Sequence, residues 1–413
     1  MKKNNDPVRG TKDYLPQEME IREQVKSKII SSYKKFGYNH IEAPIIEDIN
    51  NLLGSDGGDN LKLIFKILKR GEKLDLTKPN LTERDIVDSG LRYDLTVPLV
   101  RLFSNNQDKL IVPFKSIQIG YSFRAERPQR GRDRQFIQCD IDILGDPTCN
   151  AEIDILNTTG KTYLDLGFKN FEIKINDRRI LNALIVNCGF NIDDVPKVCI
   201  SLDKLDKMSI ENVKAEIIEN GFEKSKCENL ISAIEDILKN GIKALNKYHI
   251  PGTLIENLTN IINSVNNLSE NKYNCKFCIN IVRGQGYYTG TVYEVYLNGL
   301  DRACGGGGRY DNMIEKMTGK SMPAVGFSIG FEPTCLLIKE QNLLGTEKTQ
   351  KTAVIYNDSA NFIEVLKVVE KLNKTGVACA MLEKKNFKFQ LQSLKANGYT
   401  AYIVFGKDKI VNL

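Results

Sequence analysis

Histidine is almost missing from this chain: His40 and His249 are the only two in 413 residues. A catalytic triad or metal cluster built on imidazole needs more, so other side chains must carry the chemistry, and no metal ligand set is expected. No apolar run reaches the roughly 18–20 residues that span a bilayer. The N-terminus, MKKNNDPVRGTKDYLP, has two lysines but no apolar stretch of the kind a secretory signal carries. Both absences point to a cytoplasmic protein with no membrane partner. Ten cysteines occur without a repeating frame, which suits thiols in a reducing compartment. Cys275 and Cys278 form one CxxC, and no second pair stands at matching spacing. Two ordinary thiols on a loop entering a strand explain them.

What is present is an ordinary globular balance, 41% hydrophobic and 27% charged, in a chain long enough for two or three domains. The net charge of +6 fits a polyanionic partner without proving one. Met19, Ile21, Val25, Ile29, Ile30, Tyr33 and Phe36 recur at the spacing of one helical face. IEAPIIE (41–47) is expected to be extended, because Pro44 opposes helix. Residues 54–90 show weak periodicity and predict a partly mobile loop region.

Residues 113–145 say more. In 117–126, Ile117, Ile119, Tyr121, Phe123 and Ala125 alternate with Gln118, Gly120, Ser122, Arg124 and Glu126. After a Gly/Arg-rich turn, Phe136, Gln138, Asp140 and Asp142 alternate with Ile137, Cys139, Ile141 and Ile143. Period-two alternation in both runs predicts an antiparallel hairpin with one apolar and one largely polar face. A helical insertion is expected at about 190–270, strand character returns over 279–298, and a polar linker runs over 341–351. Residues 352–413 read as a separate β-α-β-α-β domain, leaving 1–340 as the core. The fold class is therefore α+β.

Five arginines lie between 124 and 134: Arg124, Arg127, Arg130, Arg132 and Arg134. A guanidinium stays charged at any working pH and its rigid fork matches phosphate oxygens, so this loop can grip a nucleotide triphosphate. A solvated basic loop is the plainer reading of the same residues. Gln138 and Asp142 share a sheet face, and Asp94 and Thr96 share a parity. Together they offer acceptors for an ammonium or an imidazole N–H; a carboxylate row facing solvent is the alternative. Arg283, Gly284 and Gly286 precede Tyr287 and Tyr288, which can wall a ligand site. Gly305–Gly308 strip away side chains, giving either a bare surface for a ligand or a flexible turn.

FRAERPQRGRDRQFIQCDIDILG (123–145) resembles the motif 2 hairpin of class II aminoacyl-tRNA synthetases in its histidyl form. IVRGQGYYTGTVYE (281–294) and CGGGGRYDNMI (304–314) resemble that family's two histidine-specific signatures. RGTKDYLP (9–16), YNHIEAPIIE (38–47), LRYDLTVP (91–98) and PAVGFSIGFE (323–332) fall in the matching order. The likeness implies a class II antiparallel sheet flanked by helices, with an anticodon-binding-like α/β domain at the C-terminus. It implies ATP, Mg²⁺, L-histidine and tRNA(His) as partners, and a homodimer using 17–47. It also implies roles: Arg124 on the α-phosphate, Glu126 on adenine, and Arg132 on the distal phosphates. Asp94, Thr96, Gln138, Asp142, Tyr287 and Tyr288 would line a histidine pocket, and Arg283 would stabilise the charge that develops during adenylate formation.

The chain departs from the family in three places. Pro333 stands where motif 3 carries an arginine, Gln285-Gly286 replaces Leu-Asp, and the last domain is short, ending after its third predicted strand. These departures keep a second expectation alive: an inactive, histidine-sensing regulatory subunit of ATP phosphoribosyltransferase.

Overall fold

The computed structural model describes residues 5–54, 58–205, 208–282, 286–344, 350–407 and 409–413. The chain divides into two units, residues 1–13 with 24–343 and residues 14–23 with 344–413.

Among the described residues, eleven strands belong to the larger unit. They are β1 (Asn39–His40), β2 (Ile46–Asp48), β3 (Lys66–Leu68), β4 (Val87–Leu91), β5 (Phe114–Phe123), β6 (Gln135–Leu144), β7 (Phe171–Asp177), β8 (Tyr273–Phe277), β9 (Thr291–Tyr296), β10 (Gly305–Arg309) and β11 (Ala324–Gly330). Eight form one sheet in the order β1-β5-β6-β11-β10-β9-β7-β8, antiparallel except at its two outer pairs. The alternation read in 113–145 becomes the β5–β6 hairpin, paired from Phe114–Leu144 to Phe123–Gln135. Its apolar face, with Ile117, Cys139 and Ile141, continues through Phe327 and Ile329 of β11 and is almost fully buried. The helices Asn150–Asp165 and Phe331–Gln341 pack there, and the helix Pro16–Lys35 reaches it through Tyr33, whose hydroxyl donates to the Cys139 carbonyl at 3.4 Å. Truncating a ring such as Phe327 to alanine in a layer this closed costs about 3–5 kcal/mol. The helical insertion is present from Val195–Leu202 to Gly252–Ser269.

Several expectations change. Residues 54–90, expected as loop, supply β3 and β4 of a second, three-stranded sheet with order β2-β4-β3. Strands of three to five residues are too short for a period to show in sequence. LRYDLTVP is not extended: a helix begins at Thr96, and Asp94 holds its first turn by accepting from the Val97 N–H at 3.2 Å. Asp94 and Thr96 are therefore related by a helix cap, not by strand parity. Strand character is confined to β8 and β9, so the described part of 279–290 is a connection. Cys275 lies inside β8, with Cys278 just beyond it, so that pair leaves a strand rather than entering one. Arg283, Gly284 and Gln285 lie outside the described residues.

The smaller unit holds β12 (Lys351–Tyr356), β13 (Val377–Leu382), β14 (Ala401–Val404) and β15 (Val411–Asn412), in the order β13-β12-β14-β15. The first three are parallel, as strands joined by β-α-β crossovers are. Alternation along β12 splits the core in two. Val354 packs with Val365 and Val369 of one helix, while Ala353 and Ile355 pack with Leu394 of the other. Asn361 and Asn386 cap those helices by accepting from the Ile363 and Phe389 amides.

Candidate active site

The polar face of the large sheet forms the floor of a cleft of about 450 Å³. Register sets out that floor in rows. Ser116, Gln118 and Gly120 of β5 lie opposite Asp142, Asp140 and Gln138 of β6, and these lie opposite Gly326, Ser328 and Gly330 of β11. Gly308 and Gly306 of β10 extend the rows beyond Gly326 and Ser328. One half of the floor is thus acceptor-bearing side chains, and the other is nearly bare backbone. The four glycines are a central strand, not a turn. Two close approaches require glycine: a Cβ on Gly326 would sit 2.0 Å from Asp142 Oδ1, and one on Gly308 would sit 2.8 Å from the Tyr288 ring.

The buried atoms of this floor are not satisfied. Gln118 Oε1, Gln138 Oε1, Asp140 Oδ1 and Asp142 Oδ2, with Asp94 Oδ2 beside them, have no hydrogen-bond partner among the described residues. Each such atom costs about 1–3 kcal/mol. Of these residues Gln138, Asp140 and Asp142 line the cleft, and their open atoms are acceptors, so the cleft calls for a ligand rich in N–H donors. Burial raises the carboxyl groups. Asp94 is pushed to about 6, against which the Val97 amide and Arg124 act, and Asp142 to about 7, moderated by the Tyr310 hydroxyl. Asp140 lies well above the usual carboxylate range, first from burial and then from the charge of Asp142. Burial thus disfavours charge on these carboxyl groups, and a bound cation would favour it again.

Thr96, Tyr287, Tyr288 and Tyr310 form walls. The Tyr287 and Tyr288 rings lie 4.8 Å apart, and Tyr310 meets Tyr287 edge-on at 6.1 Å. Tyr310 donates to Asp142 Oδ1 at 2.6 Å, fixing that carboxyl so that only Oδ2 remains open. Gln138 donates to Ser328 Oγ at 3.3 Å. Asp94 is not part of the lining; it is buried beneath Thr96 and Tyr287.

Arginines stand at the other end. Of the five in the hairpin loop, Arg124 and Arg132 line the cleft. Arg124 Nε donates to the Tyr93 carbonyl at 3.0 Å, and its guanidinium lies 5.2 Å from the centre of the Phe136 ring. Arg132 makes a two-pronged pair with Glu126, both contacts at 2.8 Å. Arg130 instead pairs with Glu340, and Arg134 braces backbone carbonyls of Glu126 and Arg9. Pro333 is the third residue of the helix Phe331–Gln341, at the cleft edge. Its missing N–H has no acceptor within a helix's first turn, so the helix runs on undisturbed.

The structure thus brings Arg124, Glu126, Arg132, Thr96, Gln138, Asp142, Tyr287 and Tyr288 into one cleft. Sequence reasoning did not single out Gln118, Asp140, Tyr310 or Arg302. Asp140 shares the parity of its neighbours and was within reach; Tyr310 lies inside the 304–314 signature, but its contact with Asp142 spans 168 residues and no local pattern shows it.

Comparison with known proteins agrees with this geometry. The family model described as histidyl-tRNA synthetase matches residues 10–333. A histidine–tRNA ligase of Leifsonia xyli subsp. xyli is 37% identical over 415 residues, spanning 97% of this chain and 95% of that one. Among solved structures, a histidyl-tRNA synthetase from Nostoc sp. PCC 7120 superposes with a TM-score of 0.76 at 24% identity, covering 98% of this chain and 93% of its own. A Bacillus halodurans protein described as an ATP phosphoribosyltransferase regulatory subunit/histidyl-tRNA synthetase gives 0.77 at 18% identity, covering 97% and 98%. At those identities both structures speak for the fold alone. The extent of the family match and the 37% relative decide the matter: the chain belongs to the histidyl-tRNA synthetase family.

Proposed function

We propose that this chain activates L-histidine with ATP and transfers it to tRNA(His). The observation that carries this reading is a floor of unpartnered acceptors continuous with an arginine-lined recess. A ligand with a donor-rich head and a carboxylate tail fits across that boundary, with its tail toward the cations.

In the first step a histidine carboxylate oxygen attacks the α-phosphorus. The bond to the bridging oxygen breaks, and pyrophosphate leaves with the electron pair. In the second, a hydroxyl of the terminal ribose of the tRNA attacks the acyl carbon and AMP leaves. Catalysis of this kind needs positioning and charge neutralisation rather than an imidazole base. Gln138 and Asp142 receive the amino acid's N–H groups, Thr96, Tyr287 and Tyr288 enclose it, and Asp94 supports them from below. Arg124 takes the α-phosphate, Glu126 the adenine and Arg132 the distal phosphates. Because Glu126 and Arg132 hold each other in the ligand-free protein, nucleotide entry must exchange that pair for base and phosphate contacts. Arg283 is assigned the charge developing at phosphorus on the family likeness alone. Mg²⁺ would enter with ATP as part of the substrate and would offset phosphate charge.

The smaller unit is assigned to the anticodon. A homodimer through 17–47 and a cytoplasmic location accompany this reading; exposed Ile45 and Ile46 support the first. Among the described residues, no helix is long and apolar enough to cross a membrane. The regulatory alternative has behind it a fold likeness at 18% identity, which is weaker support than the 37% identical ligase gives the main reading. Histidine-dependent ATP–pyrophosphate exchange, followed by charging of tRNA(His), is the test. Absence of exchange at saturating substrates would overturn the proposal.

A further inference from the structure

We infer that Arg302, in the connection from β9 to β10, is a nucleotide-binding residue that holds the distal phosphates. This deepens the proposed function and rests on it. Three segments meet at this end of the cleft: the tip of the β5–β6 hairpin, residues 302–304, and the start of the helix Phe331–Gln341. A Cβ on Gly131 would lie 2.6 Å from Arg302 Nη2, which places that guanidinium against the hairpin tip, next to Arg132. A Cβ on Gly330 would lie 2.6 Å from the Cys304 carbonyl and 3.0 Å from the Pro333 ring, so the strand start and the helix start also touch.

Charge balance then selects Arg302. The described lining holds three cations, Arg124, Arg132 and Arg302. A polyphosphate entering the cleft needs cations whose charge is not already spent. Arg132 is neutralised by Glu126. Arg124 is committed toward the floor, its Nε on the Tyr93 carbonyl and its charge acting on Asp94. Arg302 is half-buried, and its one hydrogen-bond partner is the backbone carbonyl of Arg130. It has no carboxylate partner among the described residues. A guanidinium carries five N–H donors, so most of its fork remains for phosphate oxygens. At the facing helix start, Pro333 offers neither a cation nor a backbone donor.

The test uses the full chain and three proteins: wild type, Arg302→Ala and Arg302→Lys. ATP, AMP and histidine are titrated by calorimetry, alongside pyrophosphate exchange and a thermal melt as a folding control. Arg302→Ala is expected to weaken ATP by about tenfold or more, and AMP by less than about twofold, because AMP lacks the phosphates in question. The KM for histidine should hold, and Arg302→Lys should recover part of the loss by restoring the charge without the fork. Unchanged ATP affinity in Arg302→Ala would overturn the inference, as would equal losses for ATP and AMP or a wild type that does not bind ATP. A wild type that binds ATP yet shows no histidine-dependent exchange would instead sink the functional reading. The ATP-versus-AMP comparison would still decide what Arg302 holds.

Discussion

At the end of the cleft proposed for the amino acid, Gln138, Asp140 and Asp142 ride on one strand at a spacing set by the pleat, with Tyr310 clamping the last of them. At the end proposed for the nucleotide, Arg132, Glu126 and Arg302 sit on connections and satisfy one another or nearby backbone. The first arrangement is prepared in advance: its acceptors are aimed into the cleft and find no donor among the described residues. The second is content without ligand and must trade partners when one enters. Recognition of the amino acid should therefore be sensitive to single atoms and to pH, whereas nucleotide binding should be spread over several replaceable cations.

Asp142→Asn should have the largest effect. Losing the charge that meets the amino acid's donors is expected to raise the KM for histidine about 100-fold while leaving that for ATP within about threefold. The same change should stabilise the ligand-free protein at pH 8. The folded-state pKa of Asp142, about 7, lies above its ordinary value of 3.8, so the folded protein holds this proton more tightly than the unfolded chain does. Its contribution to stability therefore falls as pH rises from about 4 to about 7. The rise in Tm for Asp142→Asn should be greatest at pH 8 and vanish near pH 4. Equal damage to histidine and ATP would erase the contrast between the two ends.

The same carboxyl groups predict a pH profile. In the wild type, kcat/KM for histidine should fall below pH 7 as Asp142 takes up its proton, and again near pH 6 with Asp94. The corresponding value for ATP should not follow. Free histidine titrates in this range too, so the control is Asp142→Asn, in which the upper limb must disappear if it belongs to the pocket.

Tyr310→Phe comes next, at about tenfold on histidine. The hydroxyl lowers the Asp142 pKa against the pull of burial. Removing it should move the acid limb to higher pH, which a purely steric role would not do. Arg132→Ala should cost less, about fivefold on ATP, because the cation it removes is already shared with Glu126. A loss as large as that of Asp142→Asn would mean the nucleotide end is as rigidly committed as the floor.

How much of this was readable in the sequence follows from the same contrast. The hairpin, its two faces and the acceptors on β6 were legible because strand alternation puts neighbours in space at i and i+2. Asp94 and Thr96 share a parity in the sequence, but the first turn of a helix relates them rather than a pleat, with Asp94 accepting from the Val97 N–H. Arg302 and Tyr310 were not singled out. Their place in the cleft depends on how β10 lies between β9 and β11, and no local pattern records that order. The three-stranded sheet was missed because its strands are shorter than a period needs.

Pro333→Ala should have the smallest effect, and it tests the loop end most directly. Proline there removes an N–H that no helical carbonyl would have accepted, and its fixed φ suits a first turn. Substituting alanine gives the unfolded chain more freedom and is expected to lower stability by about 0.4–1 kcal/mol in a denaturant titration. ATP affinity should change by less than about twofold, since neither side chain carries a donor to phosphate. A larger fall in ATP affinity would show that the ring itself packs on the nucleotide. That surface would then be shaped before binding, and the two ends of the cleft would share one design after all.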